Sequence, residues 1–452
     1  MRWVASLAVL GLMMALFVRL TAGGPLEARA TLALGFLLLA AHIGGQLAQR
    51  AHLPRITGYL VIGFLVGPSW LGLVGREEVG ELRFIGDAAV ALIAFAAGAE
   101  LKWAALRREG RALARVSLGA IAFPIVTIAL VLLAVSPWFP LTSGLGIGDR
   151  VVLALVLGTV AAAFSPAVTM AVIEEADAHG PFARAVLGVT IVGDVVLIVL
   201  LTVILAVGRP LVSAGAIHLG TVWSALLHVP LSAVAGVALG VLVDRYLRLV
   251  KRDTPLFLVA LAFFTAEVAR LLGLEGMLMA LAAGFYLENV SPVEGERLVE
   301  ALRRGSLPVY VVFFGLAGAG LHLEALRELW PWILVIVGLR AWALRTGVRW
   351  AGRDPAVTPA LARHAWLGLI SQAGLALGLA TVTRRAFPAW GVSLEALIVT
   401  MIGIHELVGP VLFRRALGLA GEIKEGRHAP ESVAVEPGAV SAPGGGGGGG
   451  GV

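Results

Sequence analysis

Apolar residues run through this chain in unbroken blocks of about twenty, separated by short polar or charged connections. A helix needs about 20 mostly apolar residues to cross the hydrocarbon core of a bilayer, whereas transmembrane strands show ten-residue segments of alternating polarity. The pattern predicts helices near 3–21, 28–49, 55–74, 82–106, 111–136, 150–176, 181–207, 216–247, 254–272, 275–290, 304–322, 328–350, 358–383 and 392–414. The expected fold is an all-α polytopic membrane protein of about 13–14 transmembrane helices. The lower number holds if the first helix is a cleaved signal peptide. Met1-Arg2, a short apolar run and Ala22-Gly23-Gly24 have that form, although Arg19 breaks the run.

Two of the predicted helices are interrupted. The stretch Gly158-Thr159 to Phe164-Ser165-Pro166 places a proline in mid-membrane, and Leu369-Ile370-Ser371-Gln372-Ala373-Gly374 places a polar pair beside a glycine. Each falls second from last in its half of the chain, as two inverted-topology repeats would place them, with a binding site at their interface. The expected division is an N-terminal helix or signal peptide over 1–27, a first repeat over 28–207, a linker helix over 208–253 and a second repeat over 254–418. A Gly-rich cytoplasmic tail over 419–452 completes it, ending in Gly444–Gly451 and Val452. That tail lacks apolar periodicity and is expected to be disordered. It carries no G-x-G-x-x-G after a predicted strand, so no nucleotide-binding regulatory domain is expected in it.

Loop charge sets the expected orientation. With the N-terminus inside, 24 of the 35 Lys and Arg fall on the cytoplasmic side, ten fall outside, and Arg340 lies within a span. That bias alternates loop by loop and places both chain ends in the cytoplasm, in what reads as a bacterial-type inner membrane. It also accounts for the net charge of +6 without a nucleic-acid partner.

Composition narrows the function classes. The apolar fraction is 59% and the charged fraction 14%, too apolar for a soluble enzyme of 452 residues to hide. The chain has no cysteine, which excludes disulfides, thiol catalysis and cysteine-based metal sites, and its nine histidines show no metal-ligand spacing. No cofactor is expected.

An ionisable group deep in a bilayer is costly, so each one is a candidate for function. Asp194 stands alone at the middle of its span, in Val192-Gly193-Asp194-Val195. The alternative is a carboxylate paired with a neighbouring helix purely for packing, but an apolar residue would fill that place without the desolvation cost. Pro166 interrupts the helix ladder, and carbonyls freed at that depth persist only against protein or a watery cavity. Such broken helices aim backbone dipoles at ions in secondary transporters. Ser165, Thr159, Ser371 and Gln372 could supply further oxygens, the ligands hard cations take. Arg340 is deep enough to need a partner, and Arg345 can snorkel. Glu100, Glu174 and Glu175 lie near helix ends, where solvated carboxylates are usual. Glu267, Glu275 and the pair His405-Glu406 read as local ion pairs.

These segments resemble the monovalent cation:proton antiporter family of the Kef type over about residues 28–420. The likeness rests on Leu53-Pro54-Arg55-Ile56-Thr57-Gly58-Tyr59-Leu60 with Gly67-Pro68, on Leu92-Ile93-Ala94-Phe95-Ala96-Ala97-Gly98-Ala99-Glu100, on Ser165-Pro166-Ala167 with Glu174-Glu175 and Gly180-Pro181, and on Phe313-Phe314-Gly315-Leu316 through Leu321. The resemblance implies a sodium/hydrogen exchanger fold with crossing broken helices, a homodimer, and a role in pH homeostasis. It implies that Asp194 binds a proton and a Na⁺ or K⁺ ion in turn. Three departures stand out. Gly193 occupies a position where the family has Asp, Asn or Gln, and Phe164 precedes Ser165-Pro166 where many members have Thr. Arg340 or Arg345 stands in the region where electrogenic members carry a lysine.

The mechanism read from these residues is alternating access, with Asp194 neutralised by either a proton or a monovalent cation before it crosses. A proton-uncoupled cation channel of the same fold and a non-transporting membrane sensor are the alternatives.

Overall fold

In the computed structural model, which describes residues 2–21, 23–213, 219–249, 254–291, 295–321, 326–372 and 374–423, every regular element is a helix. They are α1 (Arg2–Leu20), α2 (Leu26–Arg50), α3 (Arg55–Val66), α4 (Arg76–Glu81), α5 (Arg83–Glu100), α6 (Trp103–Val135), α7 (Ile147–Ala161), α8 (Pro166–Ala176) and α9 (Pro181–Ser213). They continue as α10 (Leu219–Leu249), α11 (Thr254–Leu272), α12 (Gly276–Asn289), α13 (Gly295–Ala319), α14 (Leu326–Ala351), α15 (Pro359–Gly368), α16 (Gly374–Ala386) and α17 (Pro388–Leu419). Seven stretches among the described residues are long and apolar enough to cross a membrane unaided, including Ile147–Ala176, Pro181–Leu205 and Pro388–Leu419. Shorter apolar helices such as Arg55–Val66 and Leu307–Ala319 accompany them. The chain is a helical integral membrane protein.

The helices follow the predicted spans with instructive differences. The third stops at Val66 rather than 74, because Pro68 forces Gly67 into extended backbone, at φ −70° and ψ 179°. The fifth begins at Trp103 rather than 111, its charged first turns continuing the helix beyond the apolar block.

Neighbour relations repeat between the two halves. α6 packs on α7 as α14 packs on α15, α7 on α9 as α15 on α17, and α5 on α12 as α13 on α3. The halves also meet directly where α6 lies along α14. There Gly119 and Gly347 touch backbone to backbone, and a Cβ on Gly347 would sit 2.1 Å from the Gly119 carbonyl oxygen. Only glycine permits that approach. It brings α14, and with it Arg340, into the middle of the molecule.

Carboxylates cap helices and tie elements together at one end of the bundle. Glu175, at the end of α8, accepts from the Arg55 N–H (2.6 Å) at the start of α3, and the Arg414 guanidinium lies 3.8 Å away. It is therefore a cap between elements rather than a solvated end group. Asp354, between α14 and α15, accepts from the Ala356 N–H and from Arg111 and Arg115 of α6. These donors, the backbone N–H first, hold its carboxyl below the ordinary value.

The tail boundary needs correction. α17 ends in a left-handed Gly421 (φ 74°), which turns the chain so that Glu422 accepts from the Phe182 (2.7 Å) and Ala183 (2.9 Å) N–H groups in the first turn of α9. Glu422 belongs to the folded body, while the rest of the expected tail, from 424 on, lies outside the described residues. Truncation just after Glu422 is expected to leave transport unchanged in reconstituted vesicles. A cut that also removes Glu422 is expected to cost about 1 kcal/mol, the usual worth of an N-terminal cap, seen as earlier thermal unfolding. Loss of flux in the longer form would show that the tail acts in transport.

Candidate ion-binding site

The α7–α8 span breaks just ahead of its proline. Pro166 takes the first position of α8, where its missing N–H is an orphan anyway and its fixed φ suits the helix. Its effect falls on Ser165, which is extended (φ −129°, ψ 98°) and whose Oγ accepts from the Val168 N–H at 3.2 Å. The helical ladder is therefore interrupted over 162–165, and Pro166 starts the next helix rather than kinking a continuous one. Thr159 lies in the last turn of α7, where its hydroxyl donates to the Leu155 carbonyl at 2.8 Å.

The second break, between α15 and α16, lies beside the first. Arg340 of α14 reaches both and is wholly buried (0% exposed). Its guanidinium donates to the carbonyls of Ala161 and Ala163 (2.9 Å) in the first break, and of Leu369 (3.0 Å) and Ile370 (2.8 Å) in the second. These carbonyls are the orphan acceptors at the C-terminal ends of α7 and α15, where the helix dipoles are negative. A planar cation with a fork of fixed donors can satisfy two such ends at once.

Gln372 adds a second tie. Its side-chain amide donates to the Val160 (3.0 Å) and Ala161 (3.2 Å) carbonyls, and its oxygen lies 2.9 Å from His405 Nδ1 on α17. With the Gln372 amide so oriented, the bond requires His405 to donate through Nδ1, which leaves a buried, unpartnered Nε2. Gln372 thus has its polar atoms engaged by protein. Ser371 presses its hydroxyl against Gly409 of α17, where a Cβ would come within 2.0 Å.

Asp194 lies on α9, buried (4% exposed), with neither carboxylate oxygen hydrogen-bonded among the described residues. Arg340, which the sequence left in need of a partner, spends its donors on the carbonyls above, and it does not pair with Asp194. Beside Asp194, Gly193 packs against the Phe164 ring, whose Cδ2 and Cε2 would stand 2.6 and 2.7 Å from a Cβ at that position. The two departures from the family pattern near the site are therefore one contact: the ring fills the space that a side chain at 193 would need.

Of the other expected residues, His405 joins the site through Gln372 and Glu275 stands near enough to Asp194 for their charges to interact, while the rest lie elsewhere. Arg345 is exposed, its guanidinium over the Trp366 ring at 5.9 Å from the centroid. Glu267 pairs with Arg270 (3.0 Å) one turn on, as the local reading expected. Glu275 stands at the N-terminus of α12, and its N–H donates to Ser232. His405 and Glu406 are buried on α17, and the His405 partner is Gln372 rather than its neighbour. Glu100 ends α5.

The arrangement can hold one positive charge. A buried carboxylate without a donor among the described residues is stable when a proton or cation neutralises it, and carbonyl-rich breaks lie in the same helix cluster.

A family model described as sodium/hydrogen exchanger, transmembrane, matches residues 5–414. The chain is 25% identical over 414 residues to the ammonium/H(+) antiporter subunit AmhT of Alkalihalophilus pseudofirmus, covering 88% of this chain and 96% of that protein. Over 93 residues it is 30% identical to the Na(+)/H(+)-K(+) antiporter GerN of Bacillus cereus, covering 21% of this chain and 24% of that protein. The sodium proton antiporter MjNhaP1 from Methanocaldococcus jannaschii shares the fold, with a TM-score of 0.62 at 17% identity over 88% of this chain and all of that one.

Proposed function

The chain belongs to the sodium/hydrogen exchanger family, and from that premise we propose that it is a secondary transporter exchanging Na⁺ or K⁺ for H⁺ by alternating access. The observation that carries this reading is Asp194, a buried carboxylate with no hydrogen-bond partner among the described residues, on the helix next to two broken spans. Proton and cation compete for it, and only the neutralised site crosses cheaply, which couples the two fluxes. Ser165 and Thr159 keep lone pairs for a bound ion, as Ser371 does if it moves off Gly409. Gln372 and Arg340 act through the backbone, holding the two breaks together.

The recurring neighbour relations support inverted repeats over 28–207 and 254–418. In this reading the helices that carry the breaks, Asp194 and Arg340 move against the rest, two copies pair as a homodimer, and the C-terminus faces the cytoplasm of a bacterial-type inner membrane. The N-terminal segment 1–27 and the helix in 208–253 lie outside the repeats.

Exchange is expected to be electroneutral, because one carboxylate carries one proton or one monovalent cation. A membrane potential acts at about 2.3 kcal/mol per net charge per 100 mV, so a neutral cycle does not feel it. Arg340 stays charged and engaged with carbonyls, so it supplies no second proton. The test uses proteoliposomes clamped at zero and at about −100 mV with potassium and valinomycin, with Na⁺ as the exchanged ion. Initial rates and final pH gradients should agree, and a gradient that follows the potential would mean more than one proton per cation.

A further inference from the structure

The packing of Phe164 goes beyond holding the break in place. Exchange is tight only if protons cannot reach the carboxylate from both sides when no cation is bound. A continuous file of water past Asp194 would short-circuit it. Phe164, in the first break, is 1% exposed and among the largest fully buried side chains. Its ring takes the volume of a side chain at 193, and Ile121 of α6 stands 4.0 Å from the same point. The nearest atoms to that point are thus an aromatic ring and an aliphatic side chain, which offer water nothing to hold next to the residue that precedes the carboxylate.

We propose that Phe164 is the seal of the ion site: its ring, bedded on Gly193, keeps water from bridging the α7–α8 break to Asp194, so that protons cross only in exchange for a cation. This rests on the exchange reading above. A phenyl ring offers no ligand to Na⁺ or K⁺ and carries no exchangeable proton, so Phe164 is a positioning residue. Gly193 is its seat, because any Cβ there would displace the ring.

The test is proton leak without an exchangeable cation. Proteoliposomes in N-methylglucamine buffer, free of Na⁺ and K⁺, receive a pH jump, with tetraphenylborate present to carry charge and pyranine inside as the probe. The wild-type protein should hold the gradient as well as protein-free liposomes do. Phe164→Ala should dissipate it about tenfold faster, since the vacated volume adjoins a charged group and admits water. Gly193→Ala should leak too, by pushing the ring from the other helix, whereas Phe164→Leu should restore tightness. The leak should disappear when Asp194→Asn is added to Phe164→Ala, because protons pass through the carboxylate and not through a general hole. If the Ala variant does not insert, Phe164→Val carries the same test. An inserted Phe164→Ala or Phe164→Val protein that exchanges cations and holds the gradient overturns the seal and leaves the exchange reading standing. Wild-type protein that moves no protons when Na⁺ or K⁺ is added overturns the exchange reading and the seal with it.

Discussion

Asp194→Asn abolishes cation-driven proton movement in proteoliposomes and leaves the protein folded. The substitution keeps the shape and removes the exchangeable charge, so neither proton nor cation has a site to neutralise. The carboxylate is buried and accepts no hydrogen bond from the described residues. Leaving a buried polar group unpaired costs about 1–3 kcal/mol, and more when it is charged. Removing the charge therefore cannot weaken the fold through lost bonds, and the thermal midpoint in detergent should equal or exceed that of the wild type. The expected combination is zero exchange with undiminished stability. Exchange at the wild-type rate by Asp194→Asn would remove Asp194 from the site altogether.

Arg340→Met has the opposite signature, losing transport because the crossing of the two breaks comes apart. Four donor contacts from one guanidinium satisfy carbonyls of Ala161, Ala163, Leu369 and Ile370, all deep in the protein. Gln372 also donates to Ala161, so that carbonyl retains one partner, but the other three lose the donor identified here. Leaving a buried carbonyl without a donor costs about 1–3 kcal/mol, so a loss of several kcal/mol over the three is expected, read as a fall in thermal midpoint and poor recovery after purification. Arg340→Lys keeps the charge but has a compact head that cannot span both breaks at once. It should fall between the wild type and Arg340→Met in stability. If Arg340→Met is as stable as the wild type, the clasp is not what holds the breaks.

The fold was legible because the membrane imposes a length rule: a block of about twenty apolar residues has few other fates. The breaks were legible for a similar reason, since Pro166 and the Ser371-Gln372 pair interrupt otherwise continuous apolar runs. Asp194 stood out by the cost of its burial. The partners of Arg340 were not legible. They are backbone carbonyls up to 179 residues away, which have no side-chain identity to read. The sequence showed that Arg340 needed a partner, and the partners are the negative ends of two helix dipoles. Glu422 looked like part of a polar tail because its role as a cap on α9 depends on the turn at Gly421, which nothing in the surrounding composition marks. The contact of Phe164 with Gly193 joins two residues that looked like unrelated departures, and only the packing of the break on α9 shows them as one feature. His405 beside Glu406 suggested a local pair, yet on a helix adjacent residues point about 100° apart, and His405 turns to Gln372.

The central claim is that one carboxylate is shared by proton and cation, and it is tested most directly by proton release on binding. Purified protein in weakly buffered detergent solution, containing a pH-sensitive dye, is titrated with Na⁺ and separately with K⁺, while bound cation is counted by a radioactive tracer. The account predicts about one proton released per cation bound by the wild type, set by the single exchangeable charge at Asp194, and neither release nor binding by Asp194→Asn. Cation binding with no proton released, or release that survives in Asp194→Asn, would contradict it.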